Sequence, residues 1–325
     1  MPCSVPIIFL IFRRPKLTAQ VFEAIRSAKP TKLFIVADGP RDKDDILLCQ
    51  QARAVTENID WDCDVLRNYA TENMGCRRRV STGISWAFQE VEEAIILEDD
   101  CLPNYSFFNF CQALLEYYRH DNRIWMISGN NFQDGVKKSE FSYFFSKYPF
   151  IWGWATWKRA WNNYDANFDS WSEEYALQII HSVCEDPDEE EFRLQRFRDV
   201  AQGRLDSWDP RWLFTCWANN ALCVIPEKNL VSNIGFGAQA THTFNTSFPY
   251  ANIKYNELLE IDHPQHVFRN VSADKYSYNH FFGGLSRKSD KSLRQKLLYK
   301  LKTLFRKIKI LFQHFVLKLR NLEIN

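Results

Sequence analysis

Short apolar runs alternate with amphipathic stretches through the first 130 residues, and that alternation restricts the chain to a small set of folds. Residues 5–12 form an unbroken apolar run of the kind a fully buried strand shows. Pro15 opens a helix, with Leu17, Val21, Ala24 and Ile25 at helical spacing. Lys32–Ala37 is the next strand, closed by the turn signal Asp38, Gly39, Pro40. The pattern then predicts a helix over 44–55, a weaker strand over 62–67 and a helix over 73–88. A strand over 94–97 runs into Glu98, Asp99 and Asp100, followed by a helix over 105–118 and a strand at Ile124–Ser128. Such alternation predicts an α/β fold with a mostly parallel sheet covered by helices on both faces, whose ligands bind beyond the carboxyl ends of the strands. Arg13 and Arg14, Asp38, and the Glu98–Asp100 triplet all fall at such ends, so topology alone predicts one constellation.

Composition removes several classes. Lys and Arg total 41 against 40 Asp and Glu, a net charge of +1, which excludes a globally basic nucleic-acid binder. With 46% hydrophobic and 25% charged residues the chain is globular in character, not disordered. The 9 cysteines are odd in number and form no CxxC pair, which argues against a disulfide framework or zinc ribbon. A reducing, cytoplasmic setting is expected, and the sequons at Asn104, Asn245 and Asn270 then carry little weight. Residues 5–12 lack the charged region of a secretory leader and are too short to span a bilayer. No GxGxxG follows the first strand, and no GxxxxGK[ST], HExxH or GxSxG occurs.

Three adjacent carboxylates at a strand end repel one another, and a divalent cation relieves the repulsion; hard oxygen ligands suit Mg²⁺ or Mn²⁺. The alternative is a solvated acidic turn. Downstream, Trp152, Trp154, Trp157, Trp161 and Trp171 crowd a short stretch, an acidic helix-like segment covers 185–200, and Ser207, Trp208, Asp209 and Pro210 follow. Residues 229–243 are rich in Gly and Asn and read as a loop; 233–243 is a candidate lid hinged at Gly235 and Gly237. Residues 246–286 suggest only mixed structure.

The stretch IILEDDCLPNYSFFNF resembles the metal-binding segment of GT-A fold glycosyltransferases, and is most similar to the branch represented by N-acetylglucosaminyltransferase I and to bacterial enzymes of that style. Glu98, Asp99, Asp100, Phe107 and Phe108 carry the match. IIFLIFRR resembles the first strand, whose final Arg, here Arg14, contacts the nucleotide. KLFIVADG resembles the second, whose terminal Asp, here Asp38, binds the base. IWGWATW resembles a segment near the acceptor, SWDPRWLF the segment with the catalytic carboxylate, and IGFGAQATHT the loop that closes over the donor. The similarity spans about residues 5–245.

The resemblance implies glycosyl transfer with inversion from a nucleotide-sugar, a UDP-sugar with UDP-GlcNAc foremost, to a hydroxyl of a glycan or lipid-linked acceptor in cell-envelope polysaccharide synthesis. It makes Asp100 the direct ligand of Mn²⁺ or Mg²⁺, Asp99 a partner of the ribose or a metal-bound water, and Glu98 a neighbour of the donor sugar. The acceptor hydroxyl needs a general base. Asp209 is the candidate, between the bulk of Trp208 and the fixed backbone of Pro210; the alternative makes Asp209 a helix N-cap, and Asp206 is its rival. His242 is placed to reach the diphosphate or metal, or is structural. Arg77, Arg78 and Arg79 are either a diphosphate contact or a solvated basic turn. Trp152 and Trp154 are sugar-stacking or core residues.

Residues 287–325 differ from the rest: they hold 12 basic side chains against Asp290 and Glu323, leaving 29 basic and 38 acidic residues, a net −9, elsewhere. Leu293, Leu297, Leu301, Leu304, Ile308, Leu311, Phe315 and Leu319 recur at steps of three or four among lysines and arginines. This basic amphipathic helix suits an anionic membrane surface, bound through residues 287–320 on the inner face of the membrane, or else docks on the acidic body or forms an oligomer contact. The expected organisation is a nucleotide-sugar half (1–130), an acceptor and catalytic half (131–286) and this tail (287–325). A nucleotidyltransferase would need a Gly-rich basic loop where Arg13, Arg14 and Pro15 stand. A non-catalytic, membrane-attached nucleotide or glycan binder is the other alternative.

Overall fold

A computed structural model describes residues 2–236, 248–251, 253–290 and 299–309. The first half follows the expected alternation: β1 (Ile7–Ile11), α1 (Pro15–Ala28), β2 (Lys32–Ala37), α2 (Lys43–Val55), β3 (Asp64–Tyr69), α3 (Gly75–Ala87), β4 (Glu93–Glu98), a short β5 (Cys101–Pro103), α4 (Tyr105–Tyr117) and β6 (Ile124–Ser128). The second half comprises β7 (Tyr143–Ser146), β8 (Trp154–Trp157), α5 (Lys158–Trp161), α6 (Glu173–Val183), α7 (Pro187–Ala201), α8 (Asp209–Ala218), β9 (Leu222–Pro226), β10 (Val231–Asn233), α9 (Val271–His280) and α10 (Gly284–Asp290).

The central sheet has the order β3-β2-β1-β4-β8-β6-β9-β7. β3, β2, β1 and β4 run parallel, as do β6 and β9. β8 enters antiparallel between β4 and β6, and β7 lies antiparallel on β9. The parallel run expected to continue from the fourth strand into Ile124–Ser128 is thus interrupted by β8, and the sheet is mostly, not wholly, parallel. The Trp154–Trp157 segment is buried along its whole length, which makes a central position favourable for it. A second, two-stranded sheet pairs β5 with β10, setting Asn233 opposite Cys101 beside the acidic triplet.

Successive residues of β1 feed opposite faces, as the period of two requires. Ile8 and Leu10 join a core with α3, α6, α7 and α8, whereas Ile7, Phe9 and Ile11 join a second core with α1 and α4. Two sequon asparagines serve as helix caps: the Asn104 side chain accepts from the Phe107 N–H, and that of Asn270 from the Ala273 N–H, each at 3.0 Å. All 9 cysteines are free thiols. Among the described residues no helix is long and apolar enough to cross a membrane.

The tryptophan density is chiefly a packing device. Trp154 is fully buried and stacks on Trp208 at 5.5 Å, with Trp161 and Trp212 each 6.1 Å away. Sugar stacking by Trp154 is therefore excluded, while the half-buried Trp152 reaches a cavity wall. The reversal between them uses Gly153 at φ +76, where an added Cβ would press on Val231. Because the Trp154–Trp208 stack fixes the start of α8, Trp154→Ala is expected to lose about 3–5 kcal/mol of stability in urea unfolding. A loss below about 1 kcal/mol would contradict this packing role.

Candidate active site

The carboxyl ends of β1, β2 and β4 open into a cavity of about 600 Å³. Arg14, Asp38, Glu98, Asp99, Asp100 and Asp209 all line it. Six of the seven expected site residues, chosen across nearly 200 positions of sequence, therefore come together. The seventh, His242, lies outside the described residues, as does Gly237 of the expected lid.

Arg14 is the residue before α1, and its guanidinium spans two carboxylates. Nη1 donates to Asp100 Oδ2 at 2.9 Å and Nη2 to Asp99 Oδ1. Asp99 Oδ2 also accepts the Phe12 N–H at 3.2 Å. Burial alone would lower the Arg14 pKa, but Asp99 and Asp100 outweigh it and hold it above its ordinary value. For Asp99 burial wins over Arg14 and raises the pKa. No hydrogen bond reaches the Glu98 carboxylate among the described residues. Burial first, then Asp100 and Asp99, push its pKa up to about 8 against the pull of Arg14. Three acids thus share one guanidinium, an arrangement short of positive charge.

No three His, Cys, Asp or Glu side chains among the described residues form a ready-made metal cage. The donor set instead suits a hard cation that uses one or two carboxylates and takes its other oxygens from phosphate and water. Asp100 sits directly beneath Gly235, where an added Cβ would collide with the carboxylate. The Ile234 N–H donates to the Asp100 carbonyl at 2.8 Å, and Phe236 packs edge-on against Trp152. The first residues of the expected lid thus lie over the acidic triplet.

Asp38 closes the far end of the cavity. Its Oδ1 accepts the Gly39 and Met74 N–H groups at 2.8 and 2.9 Å; its Oδ2 accepts Asn73 Nδ2 and the Gly75 N–H at 3.0 and 3.2 Å. Burial nonetheless raises its pKa, opposed by these N–H groups and by Arg79. The carboxylate expected to bind a base is therefore filled by the chain's own donors and clamps β2 to the start of α3. Of the basic triplet, Arg79 is buried and donates to Asn68 at the end of β3, Arg77 pairs with Asp206 at 2.9 Å, and Arg78 is exposed.

Asp209 is the first residue of α8, and Trp208 precedes it as the N-cap residue, so the alternative of an Asp209 N-cap does not hold. Its Oδ1 accepts from Ser207 Oγ, and buried Trp208 anchors the turn. Asp206, the rival base, is mostly exposed and held by Arg77. Sequence reasoning missed Arg196, which lines the same cavity from α7, and Asn233 at the end of β10. The signal for Arg196 was present as Phe192, Arg193, Arg196 and Phe197 on one helical face, hidden by the acidic residues around them.

A scan of protein-family models and a search of curated proteins find no match to this chain. The site's meaning therefore rests on its own geometry.

Replacing Arg14 leaves Asp99 and Asp100 buried without their shared partner. Arg14→Gln is expected to lower stability in EDTA by about 3 kcal/mol, with partial recovery in Mn²⁺. Urea unfolding in the two buffers checks both effects; an undiminished variant, or one indifferent to Mn²⁺, would contradict the charge assignment.

Proposed function

We propose that the chain is an inverting, divalent-metal-dependent glycosyltransferase of GT-A type. In this reading it moves a sugar from a nucleotide-sugar, a UDP-sugar with UDP-GlcNAc foremost, to a hydroxyl of a glycan or lipid-linked acceptor in envelope polysaccharide synthesis. The observation that carries the reading is the under-neutralised acidic triplet at the end of β4, half-buried Glu98 with buried Asp99 and Asp100, lining one cavity with Asp209. The parallel order β3-β2-β1-β4, with the acidic turn after β4, supports the fold assignment.

Asp100 would hold Mn²⁺ or Mg²⁺, which when bound would supply Lewis-acid neutralisation of the diphosphate leaving group. Arg14 holds Asp99 and Asp100 in register, and Asp99 would meet the ribose or a water of the bound metal. Glu98 borders the donor sugar. Asp38, through Asn73 and the α3 start, shapes the end of the cavity that receives the nucleoside. Asp209 accepts the proton of the acceptor hydroxyl as its oxygen bonds to the anomeric carbon. The bond from that carbon to the diphosphate breaks on the opposite face, so the configuration inverts. Gly235 lies against Asp100 and Phe236 packs on Trp152; the rest of the expected lid lies outside the described residues.

The tail fits a peripheral membrane position on the cytoplasmic face. Residues 299–309 are helical, and Leu301, Leu304, Phe305 and Ile308 are exposed at helical spacing beside Lys300, Lys302, Arg306, Lys307 and Lys309.

Thermal melts of the full chain with Mn²⁺ and a panel of nucleoside diphosphates test the reading. A rise that needs both UDP and Mn²⁺ is expected, and Asp100→Ala should abolish it. Asp209→Asn should keep that rise while lowering turnover by roughly 10²-fold or more. No rise with any nucleotide would sink the assignment; equal loss of donor binding in Asp209→Asn would make Asp209 structural.

A further inference from the structure

A second cavity, of about 340 Å³, adjoins the first and shares with it Trp152, Arg196 and Asp209. That volume is at the lower end of small-ligand sites, roughly 300–1,000 Å³. Its walls combine two features that rarely occur together. One is aromatic: Phe132, Phe150 and Phe281 line it with Trp152. The other is cationic: Arg193 and Arg196, three apart on α7, both reach it.

Neither cation has a carboxylate within hydrogen-bond distance among the described residues, although Glu189 acts on Arg193 and Asp209 on Arg196. Arg193 is 4% exposed, and its Nε and Nη2 make no hydrogen bond. The nearest acid, Glu189, is already engaged: its Oε2 accepts Lys147 Nζ at 2.8 Å and its Oε1 accepts the Tyr148 hydroxyl. Arg193 Nε stands 3.7 Å from that Oε1. The guanidinium carbon lies over the Phe282 ring, 4.0 Å from its centre. Arg196 makes no hydrogen bond or ion pair among the described residues. A purely apolar ligand would bury both cations dry, at high cost. A small inorganic anion would leave the aromatic walls uncovered.

We propose that this second cavity binds a sugar ring carrying an acidic group, carboxylate or phosphate, with the acid held by Arg193 and Arg196 and the ring against the aromatic wall. Guanidinium edges match both acids bidentately, and ring faces stack on aromatic side chains. Only the further step, that this ligand is the acceptor whose hydroxyl faces Asp209, rests on the transferase reading.

The test is calorimetric titration of the full chain with glucuronate, glucose 6-phosphate, glucose and inorganic phosphate, without nucleotide. Binding of glucuronate or glucose 6-phosphate, and of neither glucose nor phosphate alone, is expected; which of the two binds identifies the acid. Arg193→Gln and Arg196→Gln should each weaken it by roughly tenfold or more. Arg193 is buried and its variant can fail to fold, so Arg196→Gln, checked by circular dichroism, is decisive. Equal binding of neutral glucose, equal binding of inorganic phosphate, no binding of either acidic sugar, or an unchanged Arg196→Gln overturns the inference. A parallel titration with UDP and Mn²⁺ separates the two claims. UDP binding without acidic-sugar binding removes this inference and leaves the transferase reading; the converse removes the transferase reading and leaves this site.

Discussion

The ion pair of Arg14 with Asp99 and Asp100 joins the ends of β1 and β4, and the site is built around it. Buried charges are tolerable only when paired, and here the pairing is incomplete: Arg14 pairs with Asp99 and Asp100, and burial together with these two acids raises the pKa of Glu98. That deficit explains why the acids lie at a cavity mouth instead of in a sealed core. A cation arriving with a diphosphate would satisfy in the bound state what the free chain leaves unsatisfied, coupling ligand binding to stability.

Around this pair, packing does the positioning. β1, β2 and β4 are apolar runs buried on both faces, so their ends are rigid. The Trp154–Trp208 stack ties α8 to the sheet and thereby sets Asp209 opposite the acids. Asp38 ties the start of α3 to β2 with three hydrogen bonds, from Asn73, Met74 and Gly75. The aromatic richness of the second half thus serves two ends: a tryptophan core that fixes the Asp209 side of the first cavity, and a phenylalanine-lined cavity beside it.

Much of this was legible in the residues. Lys32–Ala37 and Ile124–Ser128 match their strands end to end, because buried strands are continuous apolar runs bounded by turn residues. The convergence of Arg14, Asp38, Glu98, Asp99 and Asp100 followed from strand-end topology. Less legible was whatever depends on long-range pairing. β8 reads only as part of a tryptophan-dense stretch until its antiparallel partners β4 and β6 are known. Trp154 and Trp152 look equivalent in sequence, yet opposite sides of Gly153 send one to the core and one to the cavity. Asp38 looks like a ligand-binding acid, and only the fold reveals that Asn73, Met74 and Gly75 come back to fill it.

The most direct measurement of the central claim is release of nucleoside diphosphate from a panel of UDP-sugars by the full chain, with a mixed glycan acceptor, in Mn²⁺ and in EDTA. Release that requires Mn²⁺, favours one UDP-sugar and disappears in Asp100→Ala is the predicted result. Release that is equal in EDTA, or no release from any nucleotide-sugar by a correctly folded chain, would contradict it.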